Sequence, residues 1–278
     1  MKASPECYAC LERLARQAAM LATSDEVLRS RAIEEGLEVL KRSFSLDKVT
    51  IVVATEIHNV VKAVTCNPDP YQQMKETEIV VAKEITKQSH PDGNSLYSCL
   101  KFAVLGNSVD FFKPLDEVRE AVRQGVRFAI DDSELFEHKL YNARNVLYLA
   151  DNAGEVFFDL PLVRWLKRRV AVTYVVKAVP VQDDITLDDI RRLGLENELG
   201  RIITTGTATP GIDLSQASAE FKDEFASADL VLAKGMGYWE SLSELPTEGK
   251  IFYCLKAKCR PVAESLGVPT GSYVAKLL

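Results

Sequence analysis

From about residue 144 onward, short apolar runs rich in β-branched residues alternate with helix-compatible segments, and this rhythm leaves few folds open. The runs are Val146–Ala150, Val170–Val176, Arg201–Thr205, Leu230–Ala233 and Lys250–Leu255. Helix-like stretches lie between them, around 156–168, 186–194, 215–227 and 239–244. Strands that return through helices pair in parallel, so the expectation is an α/β fold with a mostly parallel sheet flanked by helices.

The first half has a different texture. Apolar residues at helical spacing predict helices over Leu11–Leu21, Val27–Leu40 (after a Ser24 cap), Tyr71–Ile85 and Ser95–Leu105, with a short one over Asp116–Gln124. Thr50–Val64 is β-branched but keeps an i, i+3, i+4 pattern and is also expected to be helical. The chain therefore divides into a helical part, 1–140, and an α/β part, 141–278. With no repeat or low-complexity linker between them, the two parts are expected to pack as one unit.

Polar clusters recur where the predicted strands end. The first strand runs into Asp151-Asn152-Ala153-Gly154-Glu155, and the second into Lys177 and the turn Asp183-Asp184-Ile185-Thr186. The third leads to Thr205-Gly206, the fourth to Lys234-Gly235-Met236-Gly237, and the fifth to Lys256-Ala257-Lys258-Cys259. In a parallel sheet these ends share one edge, where ligands of open α/β folds bind. Asp151 and Asn152 supply hard oxygen donors suited to Mg²⁺ or Mn²⁺. Each cluster taken alone reads equally as a solvated loop or a helix cap; their convergence favours a site for a metal and an anion.

Net charge and chain pattern exclude some classes. Forty acidic against 34 basic residues, with no long basic tract, argue against an extended nucleic-acid footprint. The most apolar stretch, Val49–Val64, is interrupted by Glu56, His58 and Lys62, so no membrane span is expected. The opening residues lack the apolar core of a signal peptide, which points to a cytoplasmic protein with reduced thiols. Nothing in the sequence specifies an oligomeric state.

The strand-DNAGE unit, the KGMGYWE stretch at 234–240 and the closing LKAKCRPVAESLGVPTGS at 255–272 resemble the family catalogued as domain of unknown function eighty-nine, described as metal-dependent damage-control phosphatases. The likeness extends to DPYQQMKE at 69–76, to GNSVD at 106–110 and to the opening Cys7-Tyr8-Ala9-Cys10, a pair typical of its prokaryotic branch. The resemblance implies a three-layer α/β/α fold carrying an N-terminal all-helical subdomain. It also implies a metal held by Asp151, Asn152 and Asp184, the last in a turn where Asp183 replaces the family's usual Asn. Its glycine motif commonly ends Gly-Asn-Tyr-Glu, whereas this chain has Gly237-Tyr238-Trp239-Glu240.

The activity implied is hydrolysis of phosphate monoesters of small metabolites, such as sugar phosphates or phosphopantetheine-like compounds, with Mg, Mn, Co or Ni as cofactor. Under this reading Lys256 is the first choice to meet the phosphate, with Lys234 and Lys258 as alternatives, and Glu240 lies near the substrate. Backbone N–H groups around Thr205-Gly206 would add donors. Asn107 and Asp110 either face the same site or cap a helix, and Glu155 either orients a water or stabilises the helix that follows. Water is favoured over a carboxylate as nucleophile.

Two other classes compete. One is an S-adenosylmethionine-dependent carboxyl methyltransferase, disfavoured by the single glycine in DNAGE; the other is a non-catalytic metal- or nucleotide-binding protein. Cys7 and Cys10 have zinc-compatible spacing, yet a redox pair or simple burial on a helix face explains them as well. His58, His90 and His138 show no ligand spacing, and Trp165 and Trp239 read as core.

Overall fold

The alternation along the second half of the chain becomes one seven-stranded sheet in the order β1-β7-β6-β5-β2-β3-β4. The computed structural model describes residues 1–108, 117, 120, 124–247 and 249–278. Its strands are β1 (Phe128–Asp131), β2 (Asn145–Leu149), β3 (Ala171–Val176), β4 (Arg201–Thr204), β5 (Leu230–Lys234), β6 (Ile251–Lys256) and β7 (Tyr273–Leu277). All neighbours pair in parallel except β6 and β7. The five predicted strands are all present, within a residue or so at each end.

Two strands escaped the sequence reading. Residues 128–131, placed in the helical stretch, form the short edge strand β1, and β7 lies between β1 and β6, parallel to the first and antiparallel to the second. Four residues are too few to show a period of two, and a hydrophobic run at a chain end carries no connection from which pairing can be inferred.

The helices are α1 (Pro5–Ala22), α2 (Glu26–Ser43), α3 (Thr50–Thr65), α4 (Gln72–Gln88), α5 (Leu96–Gly106), α6 (Ser133–Leu140), α7 (Val156–Lys167), α8 (Leu187–Leu193), α9 (Glu196–Leu199), α10 (Ala219–Ser227), α11 (Met236–Leu242) and α12 (Arg260–Leu266). The cap of α2 is Asp25 rather than Ser24, its carboxylate accepting from the Val27 and Leu28 amides. The helix expected at 116–124 lies mostly outside the described residues.

Alternation along the strands sorts the core into two layers. Val146 and Tyr148 of β2 face α4 to α7, whereas Leu147 and Leu149 face α10, α11 and α12. A third cluster joins α1, α2 and α3 to one another through Leu14, Ala18, Val39 and Ile57. The helical first half is thus not uniform: α4 and α5 share the core of the sheet, and only α1 to α3 make a core of their own.

Strand order reverses at β2, which pairs with β3 on one side and β5 on the other. That switch point opens a crevice beyond the carboxyl ends of β2 and β5. Packing elsewhere is dense, with the Phe136 ring stacked on Phe252 at 4.2 Å between centroids. Phe136→Ala should therefore lower stability by about 3–5 kcal/mol, read as a shift in the urea midpoint.

Candidate metal and phosphate site

Asp151 and Asn152 leave the end of β2 and meet a loop that returns from β3. The amide of Ile185 donates to the Asp151 carbonyl at 2.9 Å, and that of Ala153 donates to the Asp183 carbonyl at 2.7 Å. Asn152 and Asp184 form an isolated antiparallel bridge. These bonds bring two loops some thirty residues apart in sequence into register, so Asp151, Asn152, Asp183 and Asp184 share one floor. Gln182, just before the paired aspartates, has φ 47°, an uncommon conformation for a side-chain-bearing residue that turns the chain back toward β2.

Above this floor lies a cavity of about 480 Å³, the size of a small-metabolite pocket. Its opposite wall is apolar: Leu11 and Leu14 of α1, Ile51 and Ala54 of α3. Lys258, Glu240, Cys7, Cys10 and Cys259 stand around it.

Asp151 is held from behind. The Asn107 side-chain amide donates to Asp151 Oδ2 at 3.0 Å and to Glu155 Oε1 at 2.7 Å, while its oxygen accepts from the Lys256 amide at 2.9 Å. Glu155 in turn accepts from Lys234 Nζ at 2.6 Å, and the same ammonium donates to Asp159 at 2.8 Å and to the Ala103 carbonyl at 3.0 Å. Lys234, Glu155 and Asp159 are wholly buried. In front, Gly235 (φ 78°) lets β5 approach so closely that a Cβ there would lie 1.7 Å from Asp151 Oδ2.

This geometry reassigns several of the expected roles. Lys234 has three acceptors and no exposure, so it neutralises Glu155 and Asp159 instead of meeting a phosphate. Glu155 and Asn107 orient Asp151 and do not face the cavity. Lys256 turns toward Ser108 (3.3 Å) and the ring of Tyr273 (5.0 Å), leaving Lys258 as the lysine on the cavity lining. The Thr205 amide is spent on the Val176 carbonyl, Gly206 packs against Ser218, and neither residue lines the cavity. Glu240 does line the cavity and accepts from Thr50 of α3. Asp110 lies outside the described residues. Trp165 and Trp239 are core, each N–H engaged, by the Asn94 carbonyl and Ser265 respectively.

Sequence reasoning placed Lys177 at a strand end without giving it a role, and missed Asp159. Lys177 is buried beneath the floor, 3.3 Å from Asp184 Oδ2 and 3.3 Å from the Tyr238 hydroxyl. Asp159 sits one turn after Glu155 on α7, a spacing that brings two carboxylates to one ammonium. For Asp159 the advance signal was a charged residue on an apolar helix face.

Electrostatically the floor is short of positive charge. Burial pushes the Asp151 carboxyl well above the usual range, and Glu155 and Asp184 push the same way against Lys258 and Lys177. Asp183 is raised likewise by burial, with Glu78 and Asp184 adding to it. Asp184, where Lys177 opposes burial, is pushed up to about 6. Oδ2 of Asp183 is buried without a hydrogen bond among the described residues, and Asp184 Oδ2 has only the Lys177 ammonium at 3.3 Å. Oxygen-only donors with uncompensated negative charge fit a hard divalent cation. Among the described residues no three His, Cys, Asp or Glu side chains meet the geometry of a metal site by themselves; the donor set here pairs carboxylates with the Asn152 amide.

The comparisons with known proteins agree with this architecture. The damage-control phosphatase ARMT1-like domain matches residues 3–274. The chain belongs to that family. An uncharacterized protein of Methanocaldococcus jannaschii is 35% identical over 99% of this chain and 95% of its own length. A protein of Pyrococcus horikoshii named as a damage-control phosphatase is 34% identical over 99% of this chain and 97% of its own. A crystal structure of a DUF89 family protein from Pyrococcus horikoshii superposes with a TM-score of 0.90 at 31% identity, covering 100% of this chain and 99% of that one. Membership of the ARMT1-like family thus spans the helical part as well as the sheet.

Removing Lys234 tests its reassigned role. Lys234→Met leaves two buried carboxylates without their cation and should cost about 3–5 kcal/mol in chemical denaturation. A proton-uptake signature should accompany the floor. Asp184 binds its proton more tightly folded than at its ordinary 3.8, so that increment of stability is complete below this value and lost as pH rises through about 6. Metal-stripped protein should therefore lose stability across this window, and Asp184→Asn should flatten the loss when urea midpoints are followed against pH.

Proposed function

We propose that this protein is a divalent-metal-dependent phosphatase that hydrolyses phosphate monoesters of small metabolites. The observation that carries the reading is the buried, charge-deficient floor of Asp151, Asn152, Asp183 and Asp184 facing a metabolite-sized cavity with Lys258 on its lining. The names of its full-length relatives support the same reading.

Phosphate monoesters resist water because an oxygen nucleophile must approach an anionic phosphoryl group. Asp151, Asn152 and Asp184 are the residues to hold the metal, with Asp183 beside them. When bound, Mg²⁺, Mn²⁺, Co²⁺ or Ni²⁺ polarises phosphoryl oxygens and acidifies water. Lys258 offsets the remaining phosphate charge. Asn107 and Gly235 pin the Asp151 carboxylate from two sides, which suits a fixed ligand better than a nucleophile, so water is the attacking group. The wall from α1 and α3 excludes bulk solvent and meets the alcohol half of the ester with apolar side chains.

No helix among the described residues is long and apolar enough to cross a membrane. The test is release of p-nitrophenol from p-nitrophenyl phosphate by metal-stripped protein, with each of the four ions restored separately. Turnover should return with metal. Asp151→Ala should lower it by more than about 100-fold, since losing groups that merely orient a metal ligand already costs 10–100-fold. Metal-independent turnover, or a folded Asp151→Ala variant with full activity, would overturn the reading.

A further inference from the structure

Three cysteines from opposite ends of the chain meet at the cavity. Cys7 and Cys10 come from the first two turns of α1, Cys259 precedes α12, and all three line the space above Asp151. The two segments are tied by an ion pair between Glu6, next to Cys7, and Arg260, next to Cys259. Lys258, the cavity lysine, is therefore two residues from a contact that depends on the first turn of α1.

Cys7 and Cys10 suit a disulfide. Three residues of helix separate their Cα atoms by about 5 Å, inside the 4.4–6.8 Å span of disulfides. The first turn of a helix has no intrahelical partners for its N–H groups, so it adjusts locally at little cost. What holds Cys7 there is the cap, its Sγ accepting from the Ser4 amide at 3.4 Å and lying 3.5 Å from Ser4 Oγ. Cys10 is exposed and Cys7 half-buried, so both are open to a small oxidant. Burial pushes the Cys10 thiol up while the neighbouring Arg13 guanidinium opposes it, and Cys259 is pushed up to about 11 by burial. What singles out the pair on α1 is geometry: its two thiols stand one turn apart on one helix, with Cys10 exposed, whereas Cys259 comes from a separate segment.

We propose that Cys7 and Cys10 form a redox-active dithiol at the cavity mouth, whose oxidation to a disulfide loosens the Lys258 loop and slows turnover. The oxidant is a low-molecular-weight disulfide. The Cys10 thiolate attacks one of its sulfurs and expels a thiolate; the Cys7 thiolate then attacks Cys10 Sγ and expels the second. The protein gives up two electrons and two protons, and the oxidant leaves as two thiols. Drawing Cys7 toward Cys10 takes its sulfur off Ser4 and shifts Glu6 from Arg260, which frees the segment carrying Lys258. The effect on turnover rests on the phosphatase reading; the disulfide and the loosening do not.

Full-length protein would be equilibrated with oxidised and reduced glutathione over a range of ratios, alkylated and mapped by peptide mass. Hydrogen exchange across 256–262 and p-nitrophenyl phosphate turnover would be read on the same samples. The expected result is loss of two hydrogens from the peptide holding Cys7 and Cys10, faster exchange at 256–262 and a fall in turnover reversed by reduced glutathione. Cys10→Ser should abolish all three responses, and Cys66→Ser, which removes a thiol outside the cavity, should abolish none. Glutathione adducts without a bridge, a bridge to Cys259, or a bridge that changes neither exchange nor turnover would overturn the proposal. Protein inactive in every redox state refutes the phosphatase reading while leaving the mass and exchange results to decide this one.

Discussion

One buried ammonium organises the site. Lys234 touches no solvent, yet through Glu155 and Asn107 its charge fixes the rotamer of Asp151 at the mouth of the crevice. Burying three charges together is costly unless each is hydrogen-bonded, and here every bond is made at 2.6–3.0 Å. Asp159 completes the arrangement while accepting from the Tyr174 hydroxyl at 3.1 Å, which extends it into the core below β3. The chain thereby aims a carboxylate with no flexible element behind it, which suits the metal-ligand role proposed for Asp151.

Close backbone approach is the complementary device. Gly235 admits Asp151 alongside β5, and Gly237 packs against Gly211, where a Cβ on Gly211 would sit 2.2 Å from the Gly237 carbonyl. That second contact brings the 205–211 loop under α11 and presents the Gly211 carbonyl to Lys177. Lys177 in turn stands below Asp184. The two glycines of the KGMG stretch therefore serve the two halves of the floor. The apolar wall comes from a separately packed trio of helices, so the pocket exists only where α1 and α3 meet the sheet edge.

The sheet was legible because its strands are continuous β-branched runs and its helices keep a 3.6 period; both patterns are local. The two strands that were missed are a four-residue edge and a short strand that inserts between the preceding strand β6 and the distant β1. Of the proposed metal ligands, Asp151 and Asn152 stood out because they follow a strand at a predictable edge, whereas Asp184 was singled out only by the family resemblance. The roles of the lysines were not, since four of them, Lys177, Lys234, Lys256 and Lys258, end strands or begin the next loop in the same manner, and side-chain direction does not show in composition. Lys234 points down into the helix layer, Lys256 points toward Tyr273, and Lys258 alone of the four lines the cavity.

Sequence by itself thus determined the class of fold, the family and the sheet edge at which polar residues gather, because each is written in short-range periodicity and in contiguous motifs. Tertiary structure decided which charges face solvent and which are spent inside, that Asn107 and Glu155 act through Asp151, and that cysteines some 250 residues apart share a rim. The physical reason is that hydrogen-bond satisfaction and burial are set by neighbours far away in the chain. A lysine or a carboxylate takes its role from the partners that the packed layers place within 3 Å of it.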